Sequence, residues 1–193
     1  MDLIQGNTTI ERILNGEREL YAEIVRDHQD MVFRTCIGFT HNSEDAEDLT
    51  QEVFINAYQQ LSRFKGDSKI STWLYRIAVN ASLNHVRNSK KRSIFQRIES
   101  IFVKEKIDGQ HALGQSGDSP EHLLISLQEN EAIQHAIDSL PQNQRVAFTL
   151  SKYDELSQSE VAEIMSISDG AVEQLLQRAK VNLRKKLAPF YKK

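Results

Sequence analysis

The sequence predicts an all-α protein, with two small helical domains joined by a flexible linker. Three observations predict it. Apolar residues recur at spacings of three and four over most of the chain, the period of helices with one buried face. Only 8 Gly and 3 Pro interrupt 193 residues, and the strict alternation of a half-buried strand is scarce. Between residues 93 and 119 the periodicity weakens, and Asp108-Gly109-Gln110 and Gly114-Gln115-Ser116-Gly117-Asp118 read as loop. The expected division is therefore 1–92, a linker at 93–119, and 120–193. A composition of 39% hydrophobic and 26% charged residues belongs to a globular chain able to bury a core.

The elements follow in order. Ile10, Ile13 and Leu14 make a short apolar face, and Leu20, Ile24, Val25, Val32, Phe33 and Ile37 mark a longer helix. Cys36 lies inside that stretch and reads as a buried small hydrophobe. Ser43 is placed as the N-cap of a third helix, with Glu44 and Asp45 favourable in its first turn. This helix turns Leu49, Val53, Phe54, Ala57 and Leu61 toward a core. Arg63 to Ser68 breaks the pattern. A fourth helix then runs from about Ser71 to Lys91 with Trp73, Leu74, Ile77, Ala78, Ala81 and Val86. Within the linker a helical piece is expected around Phe95 to Val103. Ser119-Pro120 then starts a helix with Leu123, Leu124, Leu127, Ile133 and Ile137, an N-cap followed by proline at the first helical position. Leu140-Pro141 ends it and opens another with Val146, Ala147 and Leu150.

Several functional classes drop out. Met1 to Gly6 has no basic segment and no apolar core, so no export signal is read and a cytoplasmic location is expected. No apolar run approaches the ~20 residues of a membrane span. A single cysteine excludes an internal disulfide and a cysteine-rich zinc site. The EF-hand pattern is absent. His41 with Glu44 does not reproduce the paired Glu-x-x-His motifs of carboxylate-bridged metal centres. No nucleophile–base constellation stands out, so no catalytic residue, metal or cofactor is expected.

A net charge of −3 says little, but its distribution says more. Glu44, Asp45, Glu47, Asp48 and Glu52 fall in a stretch without Lys or Arg. Arg63, Lys65, Lys69, Arg76, Arg87, Lys90, Lys91 and Arg92 follow, opposed only by Asp67, and the chain from Arg178 onward carries no acid. Separate faces for separate partners are implied.

The C-terminal half carries a helix-turn-helix pattern. Ser157-Gln158-Ser159-Glu160 fits a capping box, starting a helix with Val161, Ile164 and Met165 and an inward Ala162. Ser166-Ile167-Ser168 is the turn, with Ile167 expected to plug the elbow. Ser168 caps a second helix that points Val172, Leu175 and Leu176 inward. The early, outward residues of such a helix face a DNA major groove. Here these are Ser168, Asp169, Ala171, Glu173, Gln174 and Gln177, then Arg178 and Lys180. Glu accepts from a cytosine amino group and Gln pairs with adenine, whereas Arg178, Lys180 and Arg184 suit phosphates.

Two further strings are distinctive. One is Asp45-Ala46-Glu47-Asp48-Leu49-Thr50-Gln51-Glu52-Val53-Phe54-Ile55-Asn56-Ala57-Tyr58. The other runs Phe64-Lys65-Gly66-Asp67-Ser68-Lys69-Ile70-Ser71-Thr72-Trp73-Leu74-Tyr75-Arg76-Ile77-Ala78-Val79-Asn80. Together they resemble regions 2.2 to 2.4 of sigma-70-family factors of the extracytoplasmic-function group, and the C-terminal half resembles region 4. The resemblance covers roughly residues 10–92 and 120–188. It implies a promoter-directing initiation factor whose partners are core RNA polymerase, promoter DNA and an anti-sigma factor that clamps both domains. It assigns Asp48, Gln51 and Glu52 to polymerase docking, and their acidic face free of basic neighbours agrees. It also implies that the loop Phe64 to Ser71 captures a base flipped from the −10 element. Phe64, Lys65, Gly66, Asp67 and Ser68 supply stacking and polar groups for that task, with Asn80 and Asn84 beneath on one helical face. Arg76, Arg87, Lys90, Lys91 and Arg92 would hold the single-stranded backbone. Trp73 and Ile77 read as packing residues, and Tyr75 fits either role. Many members carry basic residues where this chain has Glu173 and Leu175, so a −35 sequence is not carried over from better-known members.

Linker length adds a constraint. The two promoter elements lie roughly 50 Å apart, about one and a half turns of B-DNA. A coil of about 27 residues has an r.m.s. span of about 30 Å and reaches ~90 Å when fully extended. Such a linker bridges the elements without fixing their spacing, a task left to polymerase. A conventional helix-turn-helix regulator with a helical partner-binding domain is the alternative. It leaves the Phe64–Asn80 string without a role.

Overall fold

The structure is a computed structural model that describes residues 3–102 and 130–191. No strand occurs among the described residues. The N-terminal half holds α1 (Leu3–Leu14), α2 (Tyr21–Thr40), α3 (Ser43–Gln59) and α4 (Ile70–Phe102). The C-terminal half holds α5 (residues 130–138), α6 (Gln142–Lys152), α7 (Gln158–Met165) and α8 (Asp169–Tyr191).

Helices α2, α3 and α4 pack on one another around Ile24, Val32, Cys36, Val53, Ala57 and Leu74, each 1% exposed or less apart from the neighbours at the rim. Cys36 is fully buried, as its apolar context predicts. In α1, Ile10 and Ile13 join this core, but Leu14 is 52% exposed. The helix ends there, and the chain turns at Gly16, φ +117°, before the apolar face completes another turn.

The cap of α3 falls one residue earlier than expected. Asn42, in extended backbone, accepts the Asp45 N–H at 2.9 Å through its side-chain oxygen. Ser43 is already helical, and its hydroxyl donates to Glu47 instead. Both residue types cap well; the left-handed His41 that closes α2 places Asn42, not Ser43, at the half-turn. α4 starts at Ile70 and runs on to Phe102, so residues 93–102 are helical and the expected piece near Phe95 is the end of α4. Ser119-Pro120 and Leu123, Leu124 and Leu127 lie outside the described residues, while Ile133 and Ile137 fall on α5.

A second core is built from both halves. Phe39, Tyr75 and Val79 of the N-terminal half pack with Val146, Leu150, Val161 and Ile164 of the C-terminal half. Tyr75, which the sequence leaves open between packing and base contact, is 6% exposed here. Trp73 is half-buried against the first core and meets Phe64 edge-on, with ring centroids 5.4 Å apart.

Candidate polymerase and nucleic-acid interfaces

α3 divides its residues cleanly. Ala46, Leu49, Val53 and Ala57 face the core, and Asp48, Gln51 and Glu52 are exposed on the opposite side. Tyr21 fixes the far end of the helix by donating its hydroxyl to the Phe54 carbonyl at 2.6 Å; burial raises that phenol to about 12.

The loop between α3 and α4 presents Lys65 and Asp67 to solvent, with Gly66 and Ser68 half-buried. Gly66 has φ +76°, and a Cβ there would sit 2.6 Å from the Asn7 amide. Asn7 also donates to the Gly66 carbonyl at 3.4 Å, so α1 braces this loop. Phe64 is half-buried against Trp73, with one edge of its ring already occupied. Along α4, Asn80, Asn84 and Arg87 are exposed, and the Arg87 guanidinium donates to the Asn84 side-chain oxygen at 3.0 Å. Arg76 is engaged elsewhere. Its guanidinium donates to the carbonyls of Glu163 at 2.6 Å and Ile164 at 3.1 Å, both in the last turn of α7.

The helix-turn-helix forms as its residues predict. Ser157 and Glu160 complete the capping box, and the bonds from Ser157 hold the Glu160 carboxyl below its ordinary pKa. Ala162 is 4% exposed and lets α8 approach. Ser166 takes the left-handed conformation that turns the chain, and Ser168 accepts the Ala171 N–H at 3.3 Å. Ile167, however, is 36% exposed and does not plug the elbow. Its N–H bonds back to the Ala162 carbonyl, while Val172 fills the space beneath. Ser168, Asp169, Glu173, Gln174, Gln177, Arg178 and Lys180 are all exposed. Asp169 accepts from the Ser159 hydroxyl at 2.6 Å, which ties the two helices together.

Three residues that the sequence does not single out stand where the halves meet. Arg145, 4% exposed, donates to the Phe39 carbonyl at 2.5 Å and pairs with Asp138 at 2.7 Å. Asp154 accepts from the Thr35 hydroxyl at 3.1 Å. Gly38 lies under Thr149 and Tyr153. A glycine in the last turn of α2, ahead of its C-cap at His41, is the one visible signal, because it weakens a helix relative to alanine unless close approach requires it.

Two small helical domains, the second a helix-turn-helix, with an exposed acidic face and a polar-basic helix face, define a DNA-binding adaptor. The Sigma-70 region 2 family matches residues 24–92, and the Sigma-70, region 4 family matches residues 130–183. The RNA polymerase sigma-H factor of Pseudomonas aeruginosa is 31% identical over 96% of this chain and 95% of its own. The ECF sigma factor SigW of Bacillus subtilis is 33% identical over 92% and 94%. The sigma-E factor of Escherichia coli is 33% identical over 95% of both chains. Among solved structures, CnrH in complex with the cytosolic domain of CnrY matches with a TM-score of 0.63 and 19% identity, over 97% of this chain and 99% of that one. The chain belongs to the sigma-70 family, in its extracytoplasmic-function group, and is a transcription initiation factor that directs RNA polymerase to promoters.

Proposed function

We propose that residues 1–92 dock on polymerase and open the −10 element, that 120–193 read the −35 element, and that 93–119 link them. Asp48, Gln51 and Glu52 form the polymerase contact, because they share one exposed acidic face of α3 that attracts a basic partner and repels DNA. Phe64, Lys65, Gly66, Asp67 and Ser68 form the rim that receives a flipped base. Arg76, Asn80, Asn84 and Arg87 continue it along α4. Ser168, Asp169, Glu173, Gln174 and Gln177 face the −35 groove, with Arg178 and Lys180 on its phosphates. The polar stripe Asn80–Asn84–Arg87, exposed at one-turn intervals along the helix that follows the loop, carries the −10 reading best.

Run-off transcription with core polymerase tests it. Asn80→Ala and Lys65→Ala are expected to lower promoter opening about tenfold or more, the loss of one base contact worth roughly 1–3 kcal/mol, while polymerase binding holds. Opening that stays intact in both variants overturns the assignment. CnrH is described in complex with CnrY, and a Bartonella quintana sigma factor in complex with the anti-sigma factor NepR. By that likeness an anti-sigma factor is the further partner proposed here.

A further inference from the structure

We propose that Asn7, on the N-terminal helix α1, is a positioning residue for base capture, holding the loop Phe64 to Ser71 in the shape that receives the flipped base. This role rests on the −10 reading proposed above, and nothing in the sequence pattern points to it. The loop does little to hold itself. Phe64 closes the turn Leu61–Arg63 by donating its N–H to the Leu61 carbonyl at 3.1 Å, and α4 begins at Ile70. Among the described residues, one hydrogen bond reaches Lys65, Gly66, Asp67 and Ser68, and it comes from outside the loop. The Asn7 amide donates to the Gly66 carbonyl at 3.4 Å, across 59 positions of sequence.

α1 is fixed independently of that loop. Ile10 and Ile13, following Asn7 at intervals of three, are 3% and 4% exposed in the first core. The helix also packs on both the turn Leu61–Arg63 and α4, so it touches the elements at the two ends of the loop. Asn7 therefore reaches the loop from a rigid support, as precise positioning requires.

Gly66 and Asn7 are fitted to each other. The glycine stands at φ +76°, a left-handed backbone that residues with a side chain rarely adopt. A Cβ there would lie 2.6 Å from the Asn7 amide nitrogen and 2.9 Å from its Cγ and Oδ1, so the two approach this closely only without one. The pair is a poor source of stability. Its bond is long, and Asn7 Oδ1 is buried without a hydrogen-bond partner. A buried acceptor left unmade costs at least what one ordinary hydrogen bond returns, so an apolar side chain of similar size would serve the fold as well. What the amide supplies is position. A loop already ordered takes up its base without the entropy loss of ordering it at that moment.

The experiment uses the full chain with core polymerase, and promoter probes with one abasic site at successive positions of the single-stranded −10 segment. The position whose loss weakens the parent most marks the captured base. Asn7→Leu, close in size but without the donor, should weaken binding of the intact probe about fivefold, the value of one net hydrogen bond. On the probe lacking the captured base, the variant should bind as the parent does. Its melting midpoint should equal or exceed the parent's, and its affinity for polymerase should not change. Asn7→Asp keeps the shape but cannot donate when ionised, and should show the same base-dependent loss. A loss of equal size on intact and abasic probes, a lower melting midpoint for Asn7→Leu, or full binding by both variants overturns the proposal. Failure of the −10 reading itself looks different: Lys65→Ala then leaves promoter opening intact. Failure of the Asn7 role alone leaves the Lys65→Ala loss in place while Asn7→Leu binds as the parent does.

Discussion

At the residue scale the interface contains a carboxylate that water would hold better. Asp154 accepts from the Thr35 hydroxyl with one oxygen, and its other oxygen is buried without a hydrogen-bond partner. Burial raises its pKa from 3.8 to about 6, against the opposing pull of the Thr35 bond and the Arg34 charge. The facing groups are Arg34 and Thr35 from α2 and Tyr75 from α4, whose phenol burial pushes further up and keeps neutral. Glu160 of α7 adds a second negative charge on the same side. The sign follows directly. A raised carboxyl pKa in the closed form, with the two halves packed together as here, means that closing takes up a proton between the open and closed values, so closure strengthens as pH falls through about 6 and weakens above it. Between pH 8 and pH 5 the closed-to-open ratio should rise about tenfold. Asp154→Asn should keep the chain compact at pH 8 and flatten that dependence; an energy-transfer histogram, from fluorophores on the exposed Glu47→Cys and Lys186→Cys, that is equally pH-dependent in the variant contradicts the assignment. None of this is visible in the sequence. Asp154 lies in a short connection between α6 and α7, and the approach of Thr35 from α2 in the other half is what accompanies its burial.

At the scale of elements, the helices were legible because their stability comes from one apolar face, and that face is written at a period the chain displays openly. The caps were nearly so. The box at Ser157 and Glu160 is present, because its two bonds are local and need nothing from the rest of the molecule. Ser157→Ala should therefore cost about 1 kcal/mol and lower the thermal midpoint by a few degrees in a melting curve. The cap of α3 shifted by one residue because the backbone of His41, not the chemistry of Asn42 or Ser43, decides which side chain reaches the free amides. Ile167 was misread for a related reason: a turn that bonds its N–H back to Ala162 aims the side chain outward, whatever its hydrophobicity. Gly38 separates element from interface most sharply. Within α2 alone, Gly38→Ala favours the helix by at most about 1 kcal/mol, the value for a helix interior, yet its methyl collides with Thr149 Cγ2. The variant should melt no lower than the parent while sampling open conformations more often. Thr149→Ser removes the colliding methyl alone, and Gly38→Ala with Thr149→Ser should return the chain to the compact population. A pair whose effects on distance simply add would show that the two helices do not meet there.

At the scale of the molecule, the sequence placed the exposed residues of both proposed interfaces and missed how the halves meet. Val146 already satisfies the inward pattern of its own helix, and Val79 lies beside the face that Leu74, Ile77, Ala78 and Ala81 mark, so the pattern of one helix does not say that the two residues share a core. Residues 93–102 continue α4, so the span of a coil of about 27 residues does not describe the whole of 93–119. That stiffens the exit from region 2 and leaves the closing of the gap to the interface. Closure then has a consequence for polymerase. A closed chain cannot straddle elements roughly 50 Å apart, so the initiating complex holds the open form, and polymerase binding must supply the difference. Adding core polymerase to the doubly labelled chain should convert the compact population to a long, narrow one, narrower than that of the Gly38→Ala chain alone. The docking face offers an independent check. Glu52→Lys should weaken polymerase binding in the parent and the Gly38→Ala chain alike, since α3 stays exposed whichever way region 4 lies.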